Sequence, residues 1–358
     1  MAQKRQLSAS IVESVKRSRD FELSNKKILK LNTEWCSPHY LHYEFAIESL
    51  EDILALDNFY TSKFFDKTKS NNLPFFLIHK LRKPIEKLLA MVGIEDVKSN
   101  ILLLIVFYLQ KLDAGIKDML HTVVYGGPGV GKTMFIGILA EIYANLGILP
   151  TKKVTFLKRA DLVGQYLGHT AIKTKAAIEE AKGGILVIDE AYALGDSEQK
   201  DSFSRECLDT LNQFLSEDKR EFVCIIAGYK EDIETRFFKT NPGLRRRFPF
   251  TFTINDYTAE QLRDIFCMIV KENSWKIEPS VIDIQLIKEN KDLFKFNGGD
   301  MEVLFTKTKF IHSMRVFSSE KKHKKIITKG DFETALKQFV DTSAYRNDEQ
   351  NVIQSMYM

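Results

Sequence analysis

The chain has 358 residues, enough for two or three domains around a sizeable core, and its 44% hydrophobic and 28% charged content is that of a water-soluble globular protein. A net charge of +4 argues neither for nor against a nucleic-acid partner, and four scattered cysteines (Cys36, Cys207, Cys224, Cys267) without a CxxC pair exclude a disulfide framework or a cysteine-rich zinc site. The longest apolar run, near Ile101 to Leu109, is shorter than the roughly 18 residues that span a bilayer, and no apolar stretch opens the chain, so the expectation is a soluble intracellular protein with no membrane partner.

Residues 1–20 are polar and basic. Lys4-Arg5 and Lys16-Arg17-Ser18-Arg19, ten residues apart, have the form of a bipartite nuclear-import signal and equally of a disordered, solvated tail. Residues 21–82 predict a small helical region of unassigned role. YEFAIESLEDILAL carries apolar residues at helical spacing, and Trp35, Tyr40, Tyr43, Phe59 and Tyr60 are candidates to pack it. Cys36, His39 and His42 invite a metal reading. No fourth ligand accompanies them, and an aromatic core with surface histidines is favoured.

Residues 83–255 read as an α/β core. Two helical pieces, broken near Gly93, lead into a strand at HTVVY. Helices and strands then alternate through KVTFLK, AIKTKAAIEEA, GILVID, RECLDTLNQFL, FVCIIAG and PFTFTI. That alternation predicts a parallel sheet covered on both faces. Residues 256–345 carry only helical patterns and predict a helical lid domain. TAEQLRDIF opens it, with Thr258 as the N-cap and Glu260 in the first turn. Residues 346–358 read as a frayed tail.

The strongest chemical signal is YGGPGVGKT, which fits G-x-x-x-x-G-K-[ST] over Gly126, Gly127, Pro128, Gly129, Val130, Gly131, Lys132 and Thr133. Glycines let backbone N–H groups approach phosphate oxygens, and the following helix adds its positive end. Lys132 can reach the β- and γ-phosphates of ATP, and the Thr133 hydroxyl can ligate Mg²⁺. GGILVIDEAYAL places Asp189 and Glu190 at the C-terminal end of a buried strand, where open α/β sheets bind ligands. There Asp189 can hold Mg²⁺ through water and Glu190 can polarise an attacking water.

Together with MVGIEDVK, ADLVGQYLGHTAIKT, CIIAGYKEDIETRFFKTNPGLRRRF and DYTAEQLRDIF, these runs make the region from about Leu88 to Val340 resemble an AAA+ ATPase. The resemblance is to the group that includes the red-type Rubisco activase and stage V sporulation protein K. It implies a P-loop NTPase fold and a ring, usually a hexamer, with ATP between subunits. It assigns Val92, Gly93 and Ile94 to the adenine pocket, where the residues alone mark only a helix break at Gly93. It makes Arg247 the arginine finger that reaches a neighbour's γ-phosphate, with Arg245 and Arg246 as rivals. It also makes Tyr166, Leu167 and Gly168 a pore loop that grips a protein client, and the flanking Gly164 and Gly168 suit a mobile loop.

Two departures from the wider AAA+ pattern stand out, the second of them shared by this group. Gly299, in FNGGDMEVL, occupies the place of an arginine that senses the γ-phosphate, and a second arginine position nearby is Glu302. The fourth core strand ends in Gly228-Tyr229 in place of the asparagine or threonine common among AAA+ proteins. The leading expectation is an ATP-hydrolysing homo-oligomeric remodeller of a protein client. The alternatives are an ATP-controlled assembly switch with weak hydrolysis, motivated by Gly299, and a loader acting on nucleic acid. The last is motivated by the basic tail and by Lys321 to Lys325 and is not favoured, because charge runs are commonly solvated surface.

Overall fold

A computed structural model describes residues 21–23, 27–32, 34–37, 39–113, 118–166, 168–195, 201–217, 221–317 and 324–356. The basic pairs at 4–5 and 16–19, pore-loop Leu167 and most of the 321–325 run lie outside the described residues.

Residues 21–82, expected to be helical, carry five short strands: β1 (Phe21–Glu22), β2 (Ile28–Leu31), β3 (Tyr40–Leu41), β4 (Tyr43–Glu44) and β5 (Ser70–Asn71). β2 pairs antiparallel with β1 and β4, and β3 pairs in parallel with β5. Such strands are too short to show an alternating pattern, and β3 finds its partner about thirty residues on. The helical spacing belongs to α1 (Leu50–Thr61) alone. Ser49 caps it, accepting the Asp52 N–H while the Asp52 carboxylate takes the Ser49 N–H at 3.0 Å. Next come α2 (Phe75–Ala90), which runs across position 82/83, and α3 (Glu95–Leu109).

Tyr43, Phe59 and Tyr60 do pack together with Phe65 and Phe75, and the Tyr60 and Phe75 rings stack at 5.8 Å. Trp35 does not join them. It sits in a turn, 66% exposed, with its ring 5.1 Å from that of His42. Cys36 Sγ donates to the Asn32 carbonyl at 3.1 Å and accepts the His42 N–H. Among the described residues no group of three metal-ligating side chains forms.

The central sheet comprises β6 (Thr122–Gly126), β7 (Val154–Leu157), β8 (Ile185–Asp189), β9 (Val223–Gly228) and β10 (Phe250–Ile254). All pairings are parallel, in the order β10-β6-β9-β8-β7. The longer helices between them are α4 (Lys132–Asn145), α5 (His169–Ala181) and α6 (Ser202–Glu217), and short helical turns link β9 to β10. Alternate side chains of one strand face opposite layers. Val124, Val187 and Ile225 meet Ile105 of α3 and Phe135 of α4. Val123, Leu186 and Ile226 meet Ile178 of α5 and Leu208 of α6. The edge strands β7 and β10 keep exposed residues, whereas in β6, β8 and β9 both faces are therefore dry, which is why these three strands read as apolar runs. Each such side chain contributes about 1.5–3 kcal/mol through burial.

The lid follows β10. Thr258 caps α7 (Ala259–Glu272) as expected, in a capping box with Gln261. α8 (Gly298–Arg315) and α9 (Lys329–Met356) pack on it through Phe266, whose ring lies 6.1 Å from Phe305 and 5.2 Å from Phe332. α9 continues as helix to Met356 where the sequence predicted a tail from Arg346. That stretch holds neither glycine nor proline to stop it. One continuous apolar cluster joins Leu81 and Ile85 of α2, the upper sheet face and Phe266 of the lid. Among the described residues no helix is long and apolar enough to cross a membrane.

Candidate nucleotide site

The C-terminal ends of β6, β8 and β9 open towards the lid, and a cavity of about 550 Å³ lies between them. Residues 127–131 turn sharply from β6 into α4. Gly129 (φ +68°) and Gly131 (φ +89°) hold left-handed backbone that a side chain would strain. A Cβ on Gly126 would lie 2.9 Å from the Ile254 carbonyl oxygen and from Val130 Cγ2. Pro128, Gly129, Gly131, Lys132 and Thr133 line the cavity, while Val130 is buried beneath them.

Lys132 opens α4. Its ammonium donates to the Gly126 carbonyl at 3.0 Å and the Gly127 carbonyl at 2.7 Å. Burial pulls its pKa down, and the negative charges of Asp189 and Glu190 oppose that pull. Asp189 and Glu190 line the same cavity from the end of β8. Glu190 sits in the left-handed region (φ 52°, ψ 42°), and its N–H donates to Asp189 Oδ1 at 3.0 Å. A non-glycine residue held in this conformation is typical of a functional site.

Opposite this cluster lie Met91 and Val92, with Ile265, Met268 and Ile269 of α7 forming an apolar wall. Val92 is therefore at the cavity. Gly93 and Ile94, both at positive φ, form the turn behind it and start α3. Gly228, Tyr229 and Tyr192 close the side next to Glu190. From the lid, Gly299, Glu302 and Glu272 face in. Among the described lining residues Lys132 carries the only positive charge, against the carboxylates of Asp189, Glu190, Glu272 and Glu302.

Other sequence-derived candidates stand apart. Tyr166 is 67% exposed on the loop before α5, its ring 5.5 Å from His169, and Gly168 (φ +80°) caps that helix. Arg247 does not line the cavity of its own chain. Its Nε is buried with no hydrogen-bond partner among the described residues. Burial, with a smaller push from the Arg247 charge, brings the His121 pKa down to about 4. Arg245 is engaged locally: its guanidinium lies over the Phe238 ring at 5.2 Å and donates to the Phe248 carbonyl at 3.0 Å. Arg246 is exposed.

Sequence reasoning missed Asp256, Tyr257 and Asn297. Asn297 Nδ2 donates to Asp256 Oδ1 at 2.9 Å, and its Oδ1 accepts the Tyr257 N–H at 3.2 Å, tying the exit of β10 to the start of α8. A signal was present: Asn297 precedes two glycines, a pattern that suits close backbone approach, yet the run was weighed only for an arginine it lacks.

Comparison with known proteins agrees with this geometry. Residues 122–256 match the family described as "ATPase family associated with various cellular activities (AAA)". The chain is 40% identical over 270 residues to a cfxQ-like protein, R730, of Acanthamoeba polyphaga mimivirus, covering 75% of this chain and 66% of that protein. It is 35% identical to stage V sporulation protein K of Bacillus subtilis over 236 residues, covering 62% of this chain and 72% of that protein. It is also 33% identical to the ESX-3 secretion system protein EccA3 of Mycolicibacterium smegmatis, where the match covers 64% of this chain but 36% of the relative. With the parallel sheet, the glycine-bound loop and the Asp189–Glu190 strand end in one cavity, the chain belongs to the AAA+ ATPase family, in the group of CfxQ-like proteins and stage V sporulation protein K.

Proposed function

We propose that this chain hydrolyses ATP to ADP and phosphate as one subunit of a ring, and uses the cycle to remodel a protein client. The observation that carries the reading is the meeting of Lys132, Thr133, Asp189 and Glu190 at one cavity. In this reading Lys132 leaves the Gly126 and Gly127 carbonyls to hold the β- and γ-phosphates. The donor set suits Mg²⁺: a hydroxyl from Thr133 and a carboxylate from Asp189 are hard oxygen ligands on one cavity wall. When bound, the ion neutralises charge on the phosphates. Glu190, next to Asp189, accepts a proton from the attacking water.

A second cation is needed where charge develops on the transferring phosphoryl group. Among the described lining residues Lys132 is the one cation, so the reading draws the second from a neighbouring subunit. Arg247, outside its own cavity and with an unpaired Nε, is the assigned finger. Tyr166 is the assigned client contact, because its exposed ring can grip an extended chain by apolar contact. The relatives carry names from sporulation and secretion, and no client transfers from them.

A second reading is an assembly switch that binds ATP and turns it over slowly. Gly299 and Glu302 at the lid side of the cavity favour it, since neither attracts a γ-phosphate. Steady-state hydrolysis by the wild type beside Glu190→Gln, with light scattering on both in ATP, separates the two. Turnover lost in the variant, with rings in both, supports the motor. Assembly driven by ATP without turnover in either protein supports the switch.

A further inference from the structure

The lid holds the phosphate loop by its backbone, through three successive peptides. Asn297 Nδ2 donates to the Pro128 carbonyl at 3.4 Å, the Gly298 N–H to the Gly129 carbonyl at 3.1 Å, and the Tyr257 hydroxyl to the Val130 carbonyl at 2.7 Å. Asn297 and Tyr257 are 4% and 6% exposed, so these bonds face little competition from water. The peptides are trans, which sets each following N–H opposite its carbonyl. Fixing the carbonyls of residues 128, 129 and 130 therefore aims the N–H groups of residues 129, 130 and 131 away from the lid groups. Amides at this part of a G-x-x-x-x-G-K loop are the ones that cradle phosphate. A carbonyl that accepts a hydrogen bond also makes the N–H of its own peptide a stronger donor.

The contact has little slack. A Cβ on Gly129 would sit 1.9 Å from the Phe296 carbonyl oxygen, and one on Gly298 would sit 2.9 Å from the Gly129 carbonyl oxygen. Asn297 itself holds a sparsely populated backbone (φ 47°, ψ −115°), kept there by its bonds to Asp256 and Tyr257.

We propose that Asn297 and Tyr257 are positioning residues for nucleotide binding: they set the aim of the phosphate loop's amides and so couple lid position to phosphate occupancy. The role rests on the nucleotide reading above and adds to it. It gives this chain a lid-to-phosphate link that needs no arginine at Gly299. Coupling of this kind is reciprocal, so a bound phosphate strengthens the hold of the lid by the same factor.

The test uses the full chain and its Tyr257→Phe, Asn297→Asp and Asn297→Asp/Asp256→Asn variants. Binding of ADP is measured by fluorescence titration, fold stability by the urea midpoint without nucleotide, and KM and kcat for ATP separately. Tyr257→Phe removes one hydroxyl and is expected to weaken ADP binding about fivefold to tenfold, with a much smaller fall in the urea midpoint and KM moved more than kcat. Asn297→Asp removes the donor to Pro128 and sets a second carboxylate beside Asp256, so it weakens ADP binding further. Adding Asp256→Asn restores the amide–carboxylate pair and recovers part of that loss. Wild type that binds ADP, with Tyr257→Phe binding it equally well, overturns the positioning role alone. So does a loss of binding that matches a fall in the urea midpoint. Wild type that binds no ADP overturns both this role and the nucleotide reading beneath it.

Discussion

On the core wall of the cavity the chemistry sits on side chains at strand and helix ends: Lys132, Thr133, Asp189 and Glu190. On the lid wall the residues facing in include Gly299 and Glu302, and none of the described ones carries a positive charge. There the contact with the phosphate loop runs through a side-chain amide, a backbone N–H and a hydroxyl. In the proposed reading the core wall would act on a ligand directly, and the lid wall on the loop that would hold it. In that reading the site lacks a direct sensor and keeps a mechanical one.

This contrast can be broken from the core side first. Lys132→Ala removes the one cation among the described lining residues and is expected to lower ATP turnover about a hundredfold or more, read by steady-state phosphate release. Gly129→Ala attacks the seam between the walls. It adds a Cβ at φ +68° against the Phe296 carbonyl, and a loss of about 2–4 kcal/mol is expected in urea unfolding, together with weaker ADP binding.

On the lid side, Asp331 is 2% exposed. Burial raises its pKa, but bonds from Arg315, the Thr328 N–H and His312 outweigh that and hold it well below the usual carboxylate range. A depressed folded-state pKa stabilises the protein above the unfolded value and loses that stability as pH falls through the folded one. Lid unfolding is therefore expected to become easier below about pH 4, seen by circular dichroism at graded pH. Asp331→Asn should cost about 2–3 kcal/mol at pH 7 and flatten that acid dependence. Glu302→Arg would sharpen the comparison by giving the lid wall a cation. Its exposed position limits the gain, and ATP affinity should rise roughly fivefold. The smallest effect is expected far from both walls: Trp35→Ala should change stability by about 0.5 kcal/mol or less.

The core wall was legible in the sequence because each of its parts is local. The glycine spacing, the apolar strand before it and the Asp189-Glu190 pair each occupy a few consecutive residues. The sheet was legible for a related reason: strands dry on both faces appear as apolar runs between helical patterns. The lid contacts were not. Asn297 meets Pro128 across 169 positions and Tyr257 meets Val130 across 127, and the two glycines after Asn297 mark a close approach without naming its partner. In residues 21–82, β3 and β5 were missed for the same cause, since they pair some thirty residues apart, while β1, β2 and β4 are too short to show a pattern. Trp35 misled because a large aromatic suggests a core, while its turn offers no face to bury it. The left-handed backbone of Glu190 was invisible, since residue type alone argues against it.

That backbone has a consequence for engineering. An L-residue held at φ 52° stores roughly 1–2 kcal/mol of strain that glycine would not feel. A screen that selects this chain only for heat resistance should therefore favour Glu190→Gly, and the hardier protein it returns would have lost the carboxylate assigned to water activation. Thermostability and turnover pull in opposite directions at this one position, so a stabilised variant has to be sequenced there before its activity is interpreted.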